Sequence, residues 1–119
     1  MTRLENHMAR YREFKRAAGL SDSASVQVES WFLAAYHLIE ACAAKRRIHI
    51  QKHHKVPDEL SRNPSILGPR TKEVVDAFRF LDFEARAKFV YGASGSKADL
   101  ARARRSFEAI DAACLEILG

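Results

Sequence analysis

Apolar residues recur along this chain at the three- and four-residue spacings of amphipathic helices, and no pair of alternating runs marks a β-hairpin. Leu4, Met8, Tyr11, Phe14 and Ala18 predict a first helix over about residues 2–18, with Gly19 in the favoured position to end it. The following Ser21-Asp22-Ser23-Ala24-Ser25 is rich in N-cap residues and opens a second helix that runs to about residue 45. There Val28, Trp31, Phe32, Ala35, Leu38, Ile39 and Cys42 form an apolar face wide enough to pack against several neighbours. At ~1.5 Å per residue this helix spans ~30 Å, which suits the hub of a core.

Past a polar stretch, Val56-Pro57-Asp58-Glu59-Leu60 reads as one short helix with proline in its first turn, and Asn63-Pro64 breaks the chain. Gly68-Pro69 introduces a third long segment over about residues 70–90. Val74, Phe78, Leu81, Ala85 and Phe89 share one face there, with Val75, Phe80 and Phe83 expected to widen it. A turn at 92–96 supplies Ser96 as the cap of a last helix striped by Leu100, Ala103, Phe107, Ile110, Cys114 and Ile117. Arg102, Arg105 and Glu108 lie opposite, as a solvated face. The pattern predicts an all-α protein: one domain over residues 1–119, built as an antiparallel up-and-down bundle of four to five helices.

Composition narrows the possibilities. A chain of 119 residues suits one domain, and 47% apolar residues are enough to build a core, which excludes wholesale disorder. No apolar run approaches the ~20 residues a membrane span needs, so no membrane partner is expected. The opening stretch, MTRLENHMARYREFKR, carries no apolar signal segment, and the expectation is a cytoplasmic chain with reduced thiols. Cys42 and Cys114 fall on the apolar stripes, as small buried hydrophobes. Lysine and arginine number 20 against 15 acids, a net charge of +5, which favours polyanionic partners such as RNA or nucleotide phosphates.

The charge is concentrated. Residues 45–55 read Lys-Arg-Arg-Ile-His-Ile-Gln-Lys-His-His-Lys, with five Lys/Arg, three His and no acid. Arg46, Arg47, Lys52, His53, His54 and Lys55 are therefore candidate phosphate-binding groups, against the plainer alternative of a charged loop kept in water. His49 and His53 would suit a metal only on one helix turn, and no Cys or carboxylate in this run completes such a set; no metal or cofactor is expected. His37, inside the second helix, reads as a hydrogen-bonded core or interface histidine with Glu40 as a partner at helical spacing. The 92–96 turn lacks the Gly-Lys-Ser/Thr ending of a P-loop.

Three local patterns resemble the HEPN family (higher eukaryotes and prokaryotes nucleotide-binding). They are Tyr36-His37-Leu38-Ile39-Glu40 followed by Ala43-Ala44, the basic Ile50-Gln51-Lys52-His53-His54-Lys55 leading to Leu60, and Leu81 through Ala85-Arg86 to Tyr91-Gly92. The likeness covers about residues 26–118 and leaves the first helix as an addition. It implies a helical bundle that homodimerises. It also implies either a metal-independent ribonuclease, often a toxin paired with a nucleotidyltransferase, or an inactive relative that binds nucleotides or partners. Active members use an arginine and a histidine four to six residues apart. Arg47 and His53 fit that spacing, with His53 as the base for an RNA 2′-hydroxyl and Arg47 as the phosphate clamp. The late position where many members carry the pair reads Arg86 to Tyr91, with tyrosine in place of histidine. Arg86 and Tyr91 are then either ligand-holding groups or a structural remnant.

Overall fold

A computed structural model describes residues 2–92 and 94–119; Met1 and Ala93, the latter within the expected 92–96 turn, lie outside the described residues. The described chain is mainly helical and without strands: α1 (Arg3–Leu20), α2 (Ala24–Lys45), α3 (Val56–Arg62), α4 (Thr71–Arg79), a π-helical turn (Phe80–Ala85), α5 (Arg86–Phe89) and α6 (Lys97–Leu118). It is an all-α bundle. None of its described helices is long and apolar enough to cross a membrane.

The helix starts follow local chemistry. Thr2 caps α1 by accepting from the Glu5 amide at 3.1 Å. Ser96 and Asp99 bond each other's backbone amides to form a capping box for α6. Gly19, expected to end the first helix, lies inside its last turn, and extended Ser21 ends α1 instead. Gly68 does take the left-handed conformation, φ 59°, in the 3₁₀ turn that precedes α4.

Helix α2 is the hub, packed against α1, α6, the π turn and α5, with twelve of its residues buried. Val28, Ala35, Leu38, Ile39 and Cys42 are sealed from solvent on it, facing Phe78 and Leu81 of the third rod and Ile110 and Cys114 of α6 within one core. Cys42 and Cys114 are free and buried, and the Cys42 thiol donates to the Cys114 carbonyl at 3.6 Å. A side-chain hydrogen bond to Cys42, followed by burial, pushes the Cys114 thiol well up from its usual range, so it is held protonated. Helix α1 closes the bundle: the Tyr11 hydroxyl donates to Asp111 of α6, and Lys15 reaches the same carboxylate at 3.0 Å.

The third rod departs from the expected pattern at two positions. Phe83, expected to widen its apolar face, is 59% exposed. It lies two residues beyond Leu81, roughly 200° around a helix at 3.6 residues per turn, on the opposite side from Val74 and Phe78. The buried position beside Leu81 is instead taken by a carboxylate, Asp82. The rod is also not a uniform α-helix: the Arg86 amide bonds back to the Leu81 carbonyl, five residues earlier, across the π turn.

Candidate functional site

The basic stretch is anchored by one buried acid. Glu40, on α2, is 1% exposed. Its two oxygens accept the amides of Ile50 and Gln51, each at 3.0 Å. The Tyr36 hydroxyl sits 2.9 Å from both Glu40 Oε2 and the Gln51 carbonyl, so its single proton serves one acceptor at a time. Burial, then the Glu40 charge, raises the Tyr36 phenol far above its usual pKa. Glu40 is thus the partner of the chain that follows α2 and not of His37, as its helical spacing had suggested. The link it holds is strained: Arg47 (φ 61°) and Gln51 (φ 74°) are non-glycine residues in the left-handed region. Ile50 is buried beneath the link, and His53–Lys55 form a 3₁₀ turn leading into α3.

That turn borders a cleft of about 510 Å³ lined by Phe32, Leu33, Tyr36, His37, Gln51, Lys52, His53 and His54. Lys52, His54 and Lys55 are exposed, and among the described residues their side chains make no hydrogen bond or ion pair. His53 differs. Its Nδ1 lies 3.3 Å from Asp82 Oδ2, and its ring meets the Phe32 ring edge-on at 5.2 Å. With Nδ1–H donated to the carboxylate, Nε2 is the nitrogen left for a ligand.

Asp82 serves two partners. Its other oxygen accepts from Arg86 Nη1 at 3.0 Å, while Arg86 Nε reaches Glu29 at 3.3 Å and Nη2 donates to the Tyr91 hydroxyl at 3.1 Å. The guanidinium also stacks 4.1 Å from the Phe32 ring, behind the cleft wall. Burial alone would lower the Arg86 pKa, but the hydrogen bond and charge of Glu29 and the hydrogen bond of Asp82 raise it, so it is permanently cationic. With side chains 14% and 5% exposed, Arg86 and Asp82 form a mostly buried pair.

The sequence-derived candidates therefore divide. Lys52, His53 and His54 come together on one cleft, and His53 joins Arg86 and Tyr91 through Asp82. Arg46 and Arg47 sit at the exposed turn after α2, outside the lining of that cleft, with no side-chain hydrogen bond or ion pair among the described residues. Arg86, rather than Arg47, shares a network with His53. Lys45 is committed elsewhere, donating to the Ile117 carbonyl at the end of α6 at 2.6 Å. His49 lies in the irregular link and His53 in the 3₁₀ turn, so the two do not share a helix turn. Among the described residues no three His, Cys, Asp or Glu side chains converge to hold a metal.

Sequence reasoning missed Asp82, Glu29 and the true role of Glu40. A usable signal existed for Asp82: an acid inside the apolar run Phe80-Leu81-Asp82-Phe83, four residues before Arg86.

A second histidine cluster adjoins the cleft. His7 of α1 and His37 of α2 face each other with Nδ1 atoms 2.9 Å apart and ring centroids 5.2 Å apart. The difference is about two ring radii, so the nitrogens point straight at one another, which is the geometry of an N–H···N bond. One ring donates and the other accepts, and a proton on both would break the contact. Burial, then His7, pushes His37 down to about 4, and burial lowers His7 as well. No protein-family model, curated protein or solved structure matches this chain.

Proposed function

We propose that this chain is a HEPN-like binding module for nucleotide or RNA phosphate. One juxtaposition carries the reading: Lys52, His53 and His54 border the same cleft as the rings of Phe32, Tyr36 and His37. Cationic donors take phosphate oxygens, and the half-buried Tyr36 and His37 rings offer aromatic surface to a base, with buried Phe32 as the floor beneath. Arg86 acts from behind, holding Asp82 and the Phe32 wall in place. The test is titration with single-stranded RNA and mononucleotides across salt concentrations. Affinity falls steeply with salt, and Lys52→Ala or His54→Ala weakens it. Absence of binding at low salt, or binding indifferent to salt, rejects the proposal.

Metal-independent RNA cleavage is supported by one distance, the 3.3 Å from His53 Nδ1 to Asp82. A carboxylate that fixes the ring leaves Nε2 to take the proton of a 2′-hydroxyl attacking the adjacent phosphorus, giving a 2′,3′-cyclic phosphate as the P–O5′ bond breaks and the leaving 5′-oxygen takes a proton from water. Product analysis with His53→Ala decides it: cleavage that persists in the variant eliminates the role. The proposal extends to self-association, since Phe83 and Tyr91 stay exposed at 59% and 74%. Sedimentation at micromolar concentration tests that extension, and co-purification tests for a nucleotidyltransferase partner.

A further inference from the structure

We infer that the ligand site continues past His37 onto α1, as a second subsite that makes a single-stranded oligonucleotide, rather than a mononucleotide, the preferred ligand. This rests on the phosphate-binding reading of the first cleft. It concerns α1, the helix outside the stretch that resembles HEPN.

His37 borders two spaces. One is the 510 Å³ cleft beside Lys52, His53 and His54. The other is a cavity of about 420 Å³ lined by Asn6, His7, Ala9, Arg10, Glu13 and His37. Both volumes lie in the range of ordinary ligand sites, about 300–1,000 Å³. Because one ring forms part of both walls, a chain leaving the first enters the second without crossing a ridge of unrelated residues.

The two spaces differ in chemistry. The first presents cations with no acid on its wall, which suits a phosphate. The second presents the Asn6 amide together with Arg10 and Glu13, themselves paired at 3.0 Å. That mixture of donors and acceptors near charge balance suits the hydrogen-bonding edge of a base better than a bare phosphate. The ring between them is held rigidly: His37 is bonded to His7 and stacked on Phe14, with centroids 5.8 Å apart and planes within 9°. A fixed, half-buried imidazole is a suitable divider between successive nucleotides.

The experiment compares adenosine 5′-monophosphate, its dinucleotide and its trinucleotide on the intact chain at low salt, by calorimetry. The dinucleotide binds about tenfold tighter than the mononucleotide, the usual contribution of one further stacked base. In an Asn6→Ala/Arg10→Ala double variant the dinucleotide-to-mononucleotide affinity ratio falls toward one. Both residues are exposed on α1, and circular dichroism melting verifies that the variant folds. A wild-type ratio of one, with Lys52→Ala still weakening the mononucleotide, overturns the second subsite and leaves the first cleft standing. A tenfold ratio that survives the double variant also overturns it. Failure of all three ligands to bind overturns the first cleft and this inference together.

Discussion

His37 and His53 border the same cleft 16 positions apart in the chain, yet their surroundings give them opposite chemistry. His37 has another imidazole as its partner, and burial holds it neutral down to about pH 4. His53 has a carboxylate, Asp82, that is 5% exposed and already bound to Arg86. One histidine is a neutral spacer between helices and the other is oriented, with a nitrogen free. Residue type alone does not separate them; the partner across the interface does.

The largest effects should come from removing the two buried carboxylates that build the second environment. Asp82→Ala leaves Arg86 nearly buried with Glu29 as its sole remaining carboxylate, and a loss of about 3 kcal/mol in urea unfolding is expected. Glu40→Ala strips the Ile50 and Gln51 amides of their acceptor, costing about 2 kcal/mol. It also frees the basic link, so nucleotide affinity falls although no cleft cation has been touched. If affinity is unchanged in a folded Glu40 variant, the clamp does not position the site.

The first environment is tested by acid. Unfolded, His37 takes a proton near pH 6.5; folded, it resists until about pH 4. The unfolded state therefore binds more protons in that window, and stability declines as pH drops from about 6.5 to about 4, while this ring contributes no slope above it. His7 and Arg10 oppose the added charge on His37, and Glu40 and Glu13 favour it. Since the ring is half exposed, the total is on the order of 1 to 2 kcal/mol. Thermal melting from pH 7 to 4.5 measures it, and His37→Leu should flatten the profile. A profile unchanged by His37→Leu would mean other groups cause the acid sensitivity. Smallest is Arg47→Gly, which relaxes a left-handed residue and stabilises by about 0.5 kcal/mol, visible as a slightly higher melting temperature.

Periodicity alone was enough to read the bundle. The wide apolar face of α2, the Ser96 cap and the proline-led α3 all follow from rules acting within a few residues. The candidate site was legible only in half. Lys52, His53 and His54 announced themselves as a run without acids, but the residues that arrange them lie far off in the chain: Glu40 reaches forward ten residues to Ile50, and Asp82 reaches back 29 to His53. An acid counts as surface until tertiary packing shows which cation or amide it meets. The same distance explains why Arg47, six positions from His53, was paired with it on spacing while Arg86 holds the place in space.

The π turn at Phe80–Ala85 carries a consequence for the gene as much as for the protein. Excising a single codon at exposed Phe83 or Glu84 would let the rod wind as plain α-helix. The wide turn already absorbs one surplus residue, so everything downstream would keep close to its present orientation. A codon lost from the regular α4 would instead turn Asp82 and Arg86 together by about 100°, away from His53 and Glu29. The π turn is therefore a stretch where the gene can lose a codon for a water-facing side chain without cranking the cleft.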